Sequence, residues 1–171
     1  MCAAPSRRLL PALGLLLVGG CGPSFSEYTS AEGRYTVRVP AAPRLSKKET
    51  AAGDTSLAIV EQPNGRYVVA YLDLKAGPGE GDAKAQQRLE GARDAAARSV
   101  GGAVLADRAI TLAGKYPGRD VTIELPGKED LARDRMYLVN GRLYQVMATG
   151  RKWWVESSDT QKFLDSFRLT E

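Results

Sequence analysis

The sequence predicts an α+β fold in which a central antiparallel β-sheet is sandwiched by helices within a single domain. Strand-like segments alternate apolar and polar residues, and two pairs of them are separated by turns that contain Asn-Gly. The two helix-like segments are separated along the chain and do not alternate with single strands, which favours α+β over α/β architecture. One strand is apolar on both faces, so the sheet needs cover on both sides.

The first strands are predicted from residue alternation. Tyr35, Val37 and Val39 point to one side of a half-buried strand that ends at Pro40. The polar segment that follows, residues 41–54, reads as a connection. Residues 54–62 and 67–74 then form two strands around the turn Pro63-Asn64-Gly65-Arg66, where Asn-Gly accepts the positive φ values of a tight hairpin. The second strand, YVVAYLDL, is the one that is apolar on both faces.

The best helix in the sequence covers residues 83–100, with Asp82 available as its N-cap. Its apolar residues recur every three or four positions, and Gly101-Gly102 ends it. The apolar stripe consists of Ala85, Leu89, Ala92, Ala96 and Val100.

The second half of the chain predicts strands at residues 104–112 and 121–125, then a hairpin of residues 136–139 and 142–148 around Asn140-Gly141. Counting outward from a two-residue turn places Val139 opposite Arg142 and Tyr137 opposite Tyr144. A last helix begins at Ser158, which has capping-box spacing with Gln161. Its buried face contains Phe163, Leu164 and Phe167.

The N-terminal segment has the pattern of an export signal. Arg7 and Arg8 precede an apolar run, residues 9–18, that is shorter than the roughly 20 residues a membrane-spanning helix needs. The tetrapeptide from Val18 to Cys21 resembles a bacterial lipobox, and the resemblance implies cleavage before Cys21 and lipidation of its sulfur. The alternative is an ordinary signal peptide that leaves a free thiol. The arginine pair leaves both Sec and twin-arginine export open.

These features divide the chain into a signal peptide (residues 1–20), a lipidated Cys21 with a short tether (21–30) and an α+β domain (31–171). We expect an exported protein that a lipid anchor holds at the cell envelope. Gly22 takes the place after the cysteine where enteric bacteria use aspartate for inner-membrane retention, which favours the periplasmic face of the outer membrane.

The composition excludes several kinds of site. The chain has no histidine, and its two cysteines, Cys2 and Cys21, lie in the signal peptide and at the lipidation position. Ser-His-Asp and Cys-His nucleophilic sites, zinc sites built on histidine or cysteine, and disulfides are therefore not expected in the domain. The formal net charge of +4 includes Arg7 and Arg8, so it predicts no nucleic-acid partner.

Three weaker patterns have ordinary structural explanations. The glycine-rich segment 77–84 lacks the Ser or Thr after Lys84 that a phosphate-binding loop needs. The acids near residues 73–82 do not follow a calcium-loop pattern. Asp120 and Glu124 share one strand face, where solvated acids are commoner than a carboxylate pair for acid–base catalysis. We therefore expect no catalytic residues, no metal and no cofactor.

The segment Arg151-Lys152-Trp153-Trp154 is the candidate partner-binding surface. On an extended chain, adjacent tryptophans point in opposite directions, so one is buried and the other is available beside two cations. The alternative is that both tryptophans complete the core.

Three segments together, EGRYTVRVPAAPRL, GRLYQV and FLDSFRL, resemble bacterial exported proteins of the PsbP-like superfamily. The resemblance covers residues 28–170 and implies a central antiparallel sheet sandwiched by helices. It also implies a non-enzymatic accessory or assembly module that binds a larger protein partner in the envelope. Histidines near metals in photosynthetic members have no counterpart here. The alternative function is a carrier of a small apolar ligand or lipid in a cavity between sheet and helix.

The lipid anchor is tested by the intact mass of the protein purified from its membrane fraction. We expect a chain that begins at Cys21 and carries the added mass of diacylglycerol and an amide-linked acyl chain. Cys21→Ser removes the only sulfur available for the thioether and should release the protein into the soluble fraction. Wild-type protein with an unmodified Cys21 thiol in the soluble fraction would contradict the anchor.

Overall fold

The computed structural model describes residues 24–50, 53–74, 82–127 and 129–170. Cys21 and the signal segment lie outside these residues. No helix among the described residues has the length and apolar character needed to cross a membrane. The elements of this part of the chain are β1 (Ser26–Ser30), β2 (Tyr35–Val39), β3 (Arg44–Thr50), β4 (Gly53–Gln62), β5 (Gly65–Asp73), α1 (Asp82–Ser99), β6 (Ala103–Leu112), β7 (Tyr116–Glu124), β8 (Asp130–Val139), β9 (Arg142–Arg151), α2 (Lys152–Val155), α3 (Ser158–Asp165) and β10 (Arg168–Leu169).

Two antiparallel sheets organise the chain. The larger has seven strands in the order β3-β4-β5-β9-β8-β7-β6, and the smaller has three in the order β1-β2-β10. β5 pairs with β9, which joins the first hairpin to the second. Residues 67–72 of β5 are all buried, as expected for a strand that is covered on both faces.

The two faces of the large sheet are covered differently. One face packs on α1 through Leu72, Leu89 and Met136. The other packs on α3 and on β2 of the small sheet, and this side contains the larger core cluster. The α+β class therefore holds, but the predicted sandwich by helices is only partly present, because a three-stranded sheet supplies much of the second cover.

Aromatic rings fill the space between the large sheet and its second cover. The rings of Tyr67 and Phe163 lie 4.5 Å apart between centroids, and those of Tyr35 and Phe167 lie 5.5 Å apart. The Tyr144 hydroxyl donates a 2.8 Å hydrogen bond to the backbone oxygen of Gly33. This bond satisfies the polar end of a buried ring and ties β9 to the turn that precedes β2.

The second hairpin has the predicted register. Val139 pairs with Arg142 and Tyr137 with Tyr144, around Asn140 and Gly141 at φ 50° and 82°. Positive φ at both turn positions is the geometry that favours Asn-Gly.

The first hairpin turns one residue earlier than predicted. Gln62 pairs with Gly65, so the turn residues are Pro63 and Asn64. Gly65 belongs to the strand, where an added Cβ would lie 2.5 Å from the Thr149 oxygen. Close packing on β9 and Trp154, rather than a positive φ, therefore explains this glycine.

Three other sequence predictions need correction. Residues 44–50, predicted as part of a polar connection, form the edge strand β3, which is mostly exposed and so lacks an apolar pattern. Residues 26–30, placed in the tether, form β1 and pair with β2. The N-cap of α3 is Ser157, whose hydroxyl accepts the Thr160 amide at 3.3 Å, and not Ser158.

Candidate functional site

A groove lies between α1 and the seven-stranded sheet. α1 contacts mainly β7 and β8, so it leaves part of the sheet surface formed by β4, β5 and β9 without close cover. The space between them is about 600 Å³ and is partly open to solvent. Pockets for small organic ligands measure roughly 300–1,000 Å³.

Small residues on α1 create this space. Gly91, Ala92, Ala95 and Ala96 line the groove on the helix side at helical spacing. An added Cβ at Gly91 would meet no atom within 4 Å. Alternate residues of the strands supply the facing wall, which is apolar at Leu57, Val68, Ala70, Leu72, Leu143 and Met147.

The charged groups of the groove lie at different depths. Lys48, on the edge strand β3, is exposed, and Arg88 of α1 is half-buried. Asp134 of β8 also contributes to the lining but is 0 % exposed. The deep charged group is therefore an acid, and the outer ones are cations.

Asp134 is held by one neighbour. Gln145 Nε2 donates to its Oδ2 at 2.9 Å, whereas its Oδ1 has no hydrogen-bond partner among the described residues. Burial raises the pKa of Asp134 to about 7; the Gln145 bond opposes this rise, and the charge of Asp120 adds to it. The groove thus contains a carboxyl group that is partly protonated near neutral pH.

Sequence reasoning did not select Asp134, although the strand pattern contains a signal. β8 places Ala132, Asp134 and Met136 on one face. Ala132 and Met136, which lie on either side of Asp134 on this face, are apolar and buried. A single acid in the apolar phase of a strand is a polar group in the core. The alternation of β8 could therefore have identified Asp134 as a core residue, once it was known which face of the strand points inward.

Asp120, the candidate partner of Glu124 in a carboxylate pair, is held by arginine side chains. Asp120 accepts hydrogen bonds from Arg133, Arg135 and Arg108 at 2.8–3.3 Å. Burial by itself raises the pKa of Asp120, but these three guanidinium groups lower it more strongly. An ionised, arginine-bound carboxylate is poorly placed to act as a general acid.

The candidate partner surface at residues 151–154 is arranged differently from the prediction. Lys152, Trp153 and Trp154 belong to the short helix α2 and not to an extended segment. Trp153 is 63 % exposed, whereas the ring of Trp154 packs on Tyr67 with centroids 4.7 Å apart. Arg151 forms an ion pair with Glu129, so its charge is partly neutralised. Arg151, Lys152 and Trp153 are therefore the exposed members of this surface, and Trp154 is half-buried.

A smaller cavity of about 230 Å³ lies between the small sheet and β3–β4, on the other face of the large sheet. Its lining includes Tyr28, Tyr71 and the ion pair between Lys47 and Glu32. It has less than half the volume of the groove, so the groove is the better candidate for an organic ligand.

Comparison with known proteins shows the fold. No known protein family matches the sequence, and no curated protein matches it. The solution structure of cyanobacterial PsbP (CyanoP) from Synechocystis sp. PCC 6803 matches with a TM-score of 0.55, over 92 % of this chain and 98 % of that one. The chain has a PsbP-like fold. The sequences are 16 % identical, so the similarity concerns the fold alone. The PsbP-like fold that the sequence motifs implied is thereby confirmed.

The buried carboxyl group of this PsbP-like domain should make its stability depend on pH. The native state keeps the Asp134 proton up to pH about 7, whereas the unfolded chain loses it near 3.8. Between these values the native state binds more protons, so this group lowers the free energy of unfolding as pH rises. We expect Asp134→Asn to remove this pH dependence. The free energy of unfolding of the variant, relative to that of wild type, should therefore rise by ~2–4 kcal/mol between pH 4 and pH 8.

Urea denaturation of both proteins at several pH values measures this difference. The carboxylates bound by arginine have lowered pKa values and remain in both proteins, so they cancel in the comparison. A difference between the two proteins that stays constant over this pH range would contradict a raised pKa at Asp134.

Proposed function

We propose that this protein is a non-catalytic binding module that holds a small apolar ligand, such as a lipid chain, in the groove between α1 and the sheet. The observation that carries the proposal is the groove itself, about 600 Å³ with a mainly apolar lining. Of the two functions the sequence left open, this geometry favours the ligand carrier.

The chemistry of the lining supports an apolar ligand. Leu57, Val100 and Met147 are half-buried apolar residues of the lining that an occupant would shield from water. Burial of apolar surface stabilises a complex by roughly 25 cal/mol per Å² before the entropic cost of association. A hydrocarbon chain gains this stabilisation along its whole length, whereas a polar solute would leave its hydrogen bonds unmade.

The arrangement of the acids supports a function without catalysis. The Arg142 hydrogen bond is the main cause of the lowered pKa of Asp73. Burial alone would raise the pKa values of Asp107 and Asp165, but hydrogen bonds and charges lower both: arginines at Asp107, and Gln161 together with arginines at Asp165. Their partners are Arg142 for Asp73, Arg93 and Arg119 for Asp107, and Arg135 for Asp165. These carboxylates serve as structural ion pairs between strands and helices.

The proposal includes the lipid anchor at Cys21 and a location on the periplasmic face of the outer membrane. β1 begins at Ser26, five positions after Cys21 in the sequence, so only a few residues separate the anchor from the domain. Such a short connection would keep the domain close to the bilayer, which is the richest source of apolar molecules in the envelope. Anchoring and ligand binding are thus compatible in one chain.

The groove is tested by titration with the apolar fluorophore N-phenyl-1-naphthylamine. Ala95 lines the groove and is itself exposed, so Ala95→Trp places an indole ring there with little disturbance of the core. We expect saturable fluorescence enhancement with wild type and at least a tenfold weaker affinity for the variant.

Ala83→Trp is the matched control, because Ala83 is exposed on the same helix and lies outside the groove lining. It introduces the same indole ring in the first turn of the same helix and should bind the probe as wild type does. Equal affinity of all three proteins, or no binding by wild type, would overturn the proposed function.

A second candidate function, binding of a protein partner in the envelope, is favoured by the exposure of Trp153. Exposed tryptophan is rare on free surfaces and common at the centres of protein interfaces. Lys152 of the same helix is also exposed, which would complement an acidic or lipid-proximal partner.

Photocrosslinking in intact cells tests this surface. Photoreactive p-benzoyl-phenylalanine in place of Trp153 should give a discrete crosslinked species of higher mass. The same replacement of Leu45, which is 66 % exposed on the edge strand β3, is the control and should give none. Identical crosslinking at both positions, or none at Trp153, would count against a partner at this surface.

A further inference from the structure

The proposed groove contains a polar group that its own neighbours leave incomplete. Asp134 lines the groove between Ala132 and Met136 on β8, and its Oδ1 has no hydrogen-bond partner among the described residues. A buried polar atom without a partner is costly, and native proteins rarely retain one without a structural or functional reason. A ligand that supplied the missing hydrogen bond would therefore gain affinity at this oxygen.

Access to this oxygen depends on a flexible neighbour. Asp134 has no surface exposed to water, and Met147 lies directly opposite it in the strand register and lines the same groove. Methionine is unbranched and has several rotatable bonds, so it adapts to an occupant more readily than a β-branched residue does. Contact between a groove ligand and Oδ1 therefore requires a local rearrangement, and Met147 on the facing strand is a side chain that can adapt to it.

The other charges of the groove limit the chemistry of the ligand. A carboxylate at this depth would meet the Asp134 carboxyl group and would have to be buried beside another acid. A cationic amine would have to pass Lys48, an exposed cation of the lining on the edge strand β3. An uncharged group avoids both costs.

Among uncharged groups, a hydroxyl fits Asp134 in both of its protonation states. It can accept a hydrogen bond from the protonated carboxyl and donate one to the carboxylate. Since Oδ2 already accepts a hydrogen bond from Gln145, the unused hydrogen-bonding capacity lies on Oδ1, whether the carboxyl group is protonated or ionised. A ligand hydroxyl therefore pairs there at any pH at which the protein is folded.

We propose that the groove selects an uncharged apolar molecule that carries a hydroxyl group, such as a long-chain alcohol, and that this hydroxyl pairs with Asp134 Oδ1. The inference rests on the proposed function, because it names the class of ligand for the same groove.

The test compares 1-octanol with 1-chlorooctane, which has nearly the same length and no hydroxyl, by displacement of N-phenyl-1-naphthylamine. Both compounds are measured on wild type and on Asp134→Leu, which keeps a side chain of similar size and removes the hydrogen bond. We expect the dissociation constant of 1-octanol, divided by that of 1-chlorooctane, to be about tenfold larger in Asp134→Leu than in wild type. The chlorinated compound reports the apolar contribution, so its binding corrects for any general change in the groove.

Asp134→Asn provides a second variant, because an amide can still pair with a hydroxyl and should keep most of the preference for octanol. Octanoate and octylamine, which match 1-octanol in chain length, are measured on wild type as charged competitors and should bind more weakly than the alcohol. An unchanged octanol ratio in Asp134→Leu, or tighter binding of either charged compound, would overturn the hydroxyl assignment while leaving the apolar groove in place. If the fluorophore, 1-octanol and 1-chlorooctane all failed to bind wild type, the proposed function itself would be overturned.

Discussion

A sheet that is apolar on both faces must be covered on both faces, and the rest of this structure depends on how unequal the two covers are. On one side, β2, α3 and the residues after it bring Tyr35, Phe163 and Phe167 against the sheet. Each of these residues is at most 1 % exposed. On the other side, α1 is the cover that the described residues provide, and it contacts mainly β7 and β8. Aromatic rings fill the first interface, whereas alanine and glycine leave the second partly empty.

The groove follows from the size of the helix side chains. Gly91 and Ala95 lie one helical turn apart on α1, opposite strand residues that are themselves apolar. These small helix side chains cannot reach the strand side chains opposite unless the helix approaches more closely, and its contacts with β7 and β8 fix its distance. The unfilled volume of about 600 Å³ is therefore a consequence of sequence at a few positions. The proposed apolar ligand would occupy this volume.

Much of the secondary structure could be predicted because it depends on local rules. The Asn140-Gly141 turn fixed the register of the β8–β9 hairpin, and the spacing of Leu89 and Ala96 placed α1. Predictions failed where neighbours distant in sequence decided the outcome. Gly65 resembled a turn residue but packs against β9, and residues 44–50 have little apolar pattern because an edge strand is stabilised by backbone hydrogen bonds to β4. The candidate site was largely missed for the same reason, since Asp134 is notable only because both neighbouring strands and α1 bury it.

The sequence alone determined that this chain offers no imidazole, that its cysteines lie only at positions 2 and 21, and that its strands and helices form an antiparallel α+β arrangement. These properties depend on which residues are present and on periods of two to four residues, so they need no knowledge of distant contacts. Only the tertiary structure decided that a small sheet replaces part of the expected helical cover, that Trp153 is exposed while Trp154 is packed, and that a groove runs beside α1. Each of these depends on the distance between elements far apart in sequence, and that distance is set by the combined volumes of side chains that meet only in the folded protein.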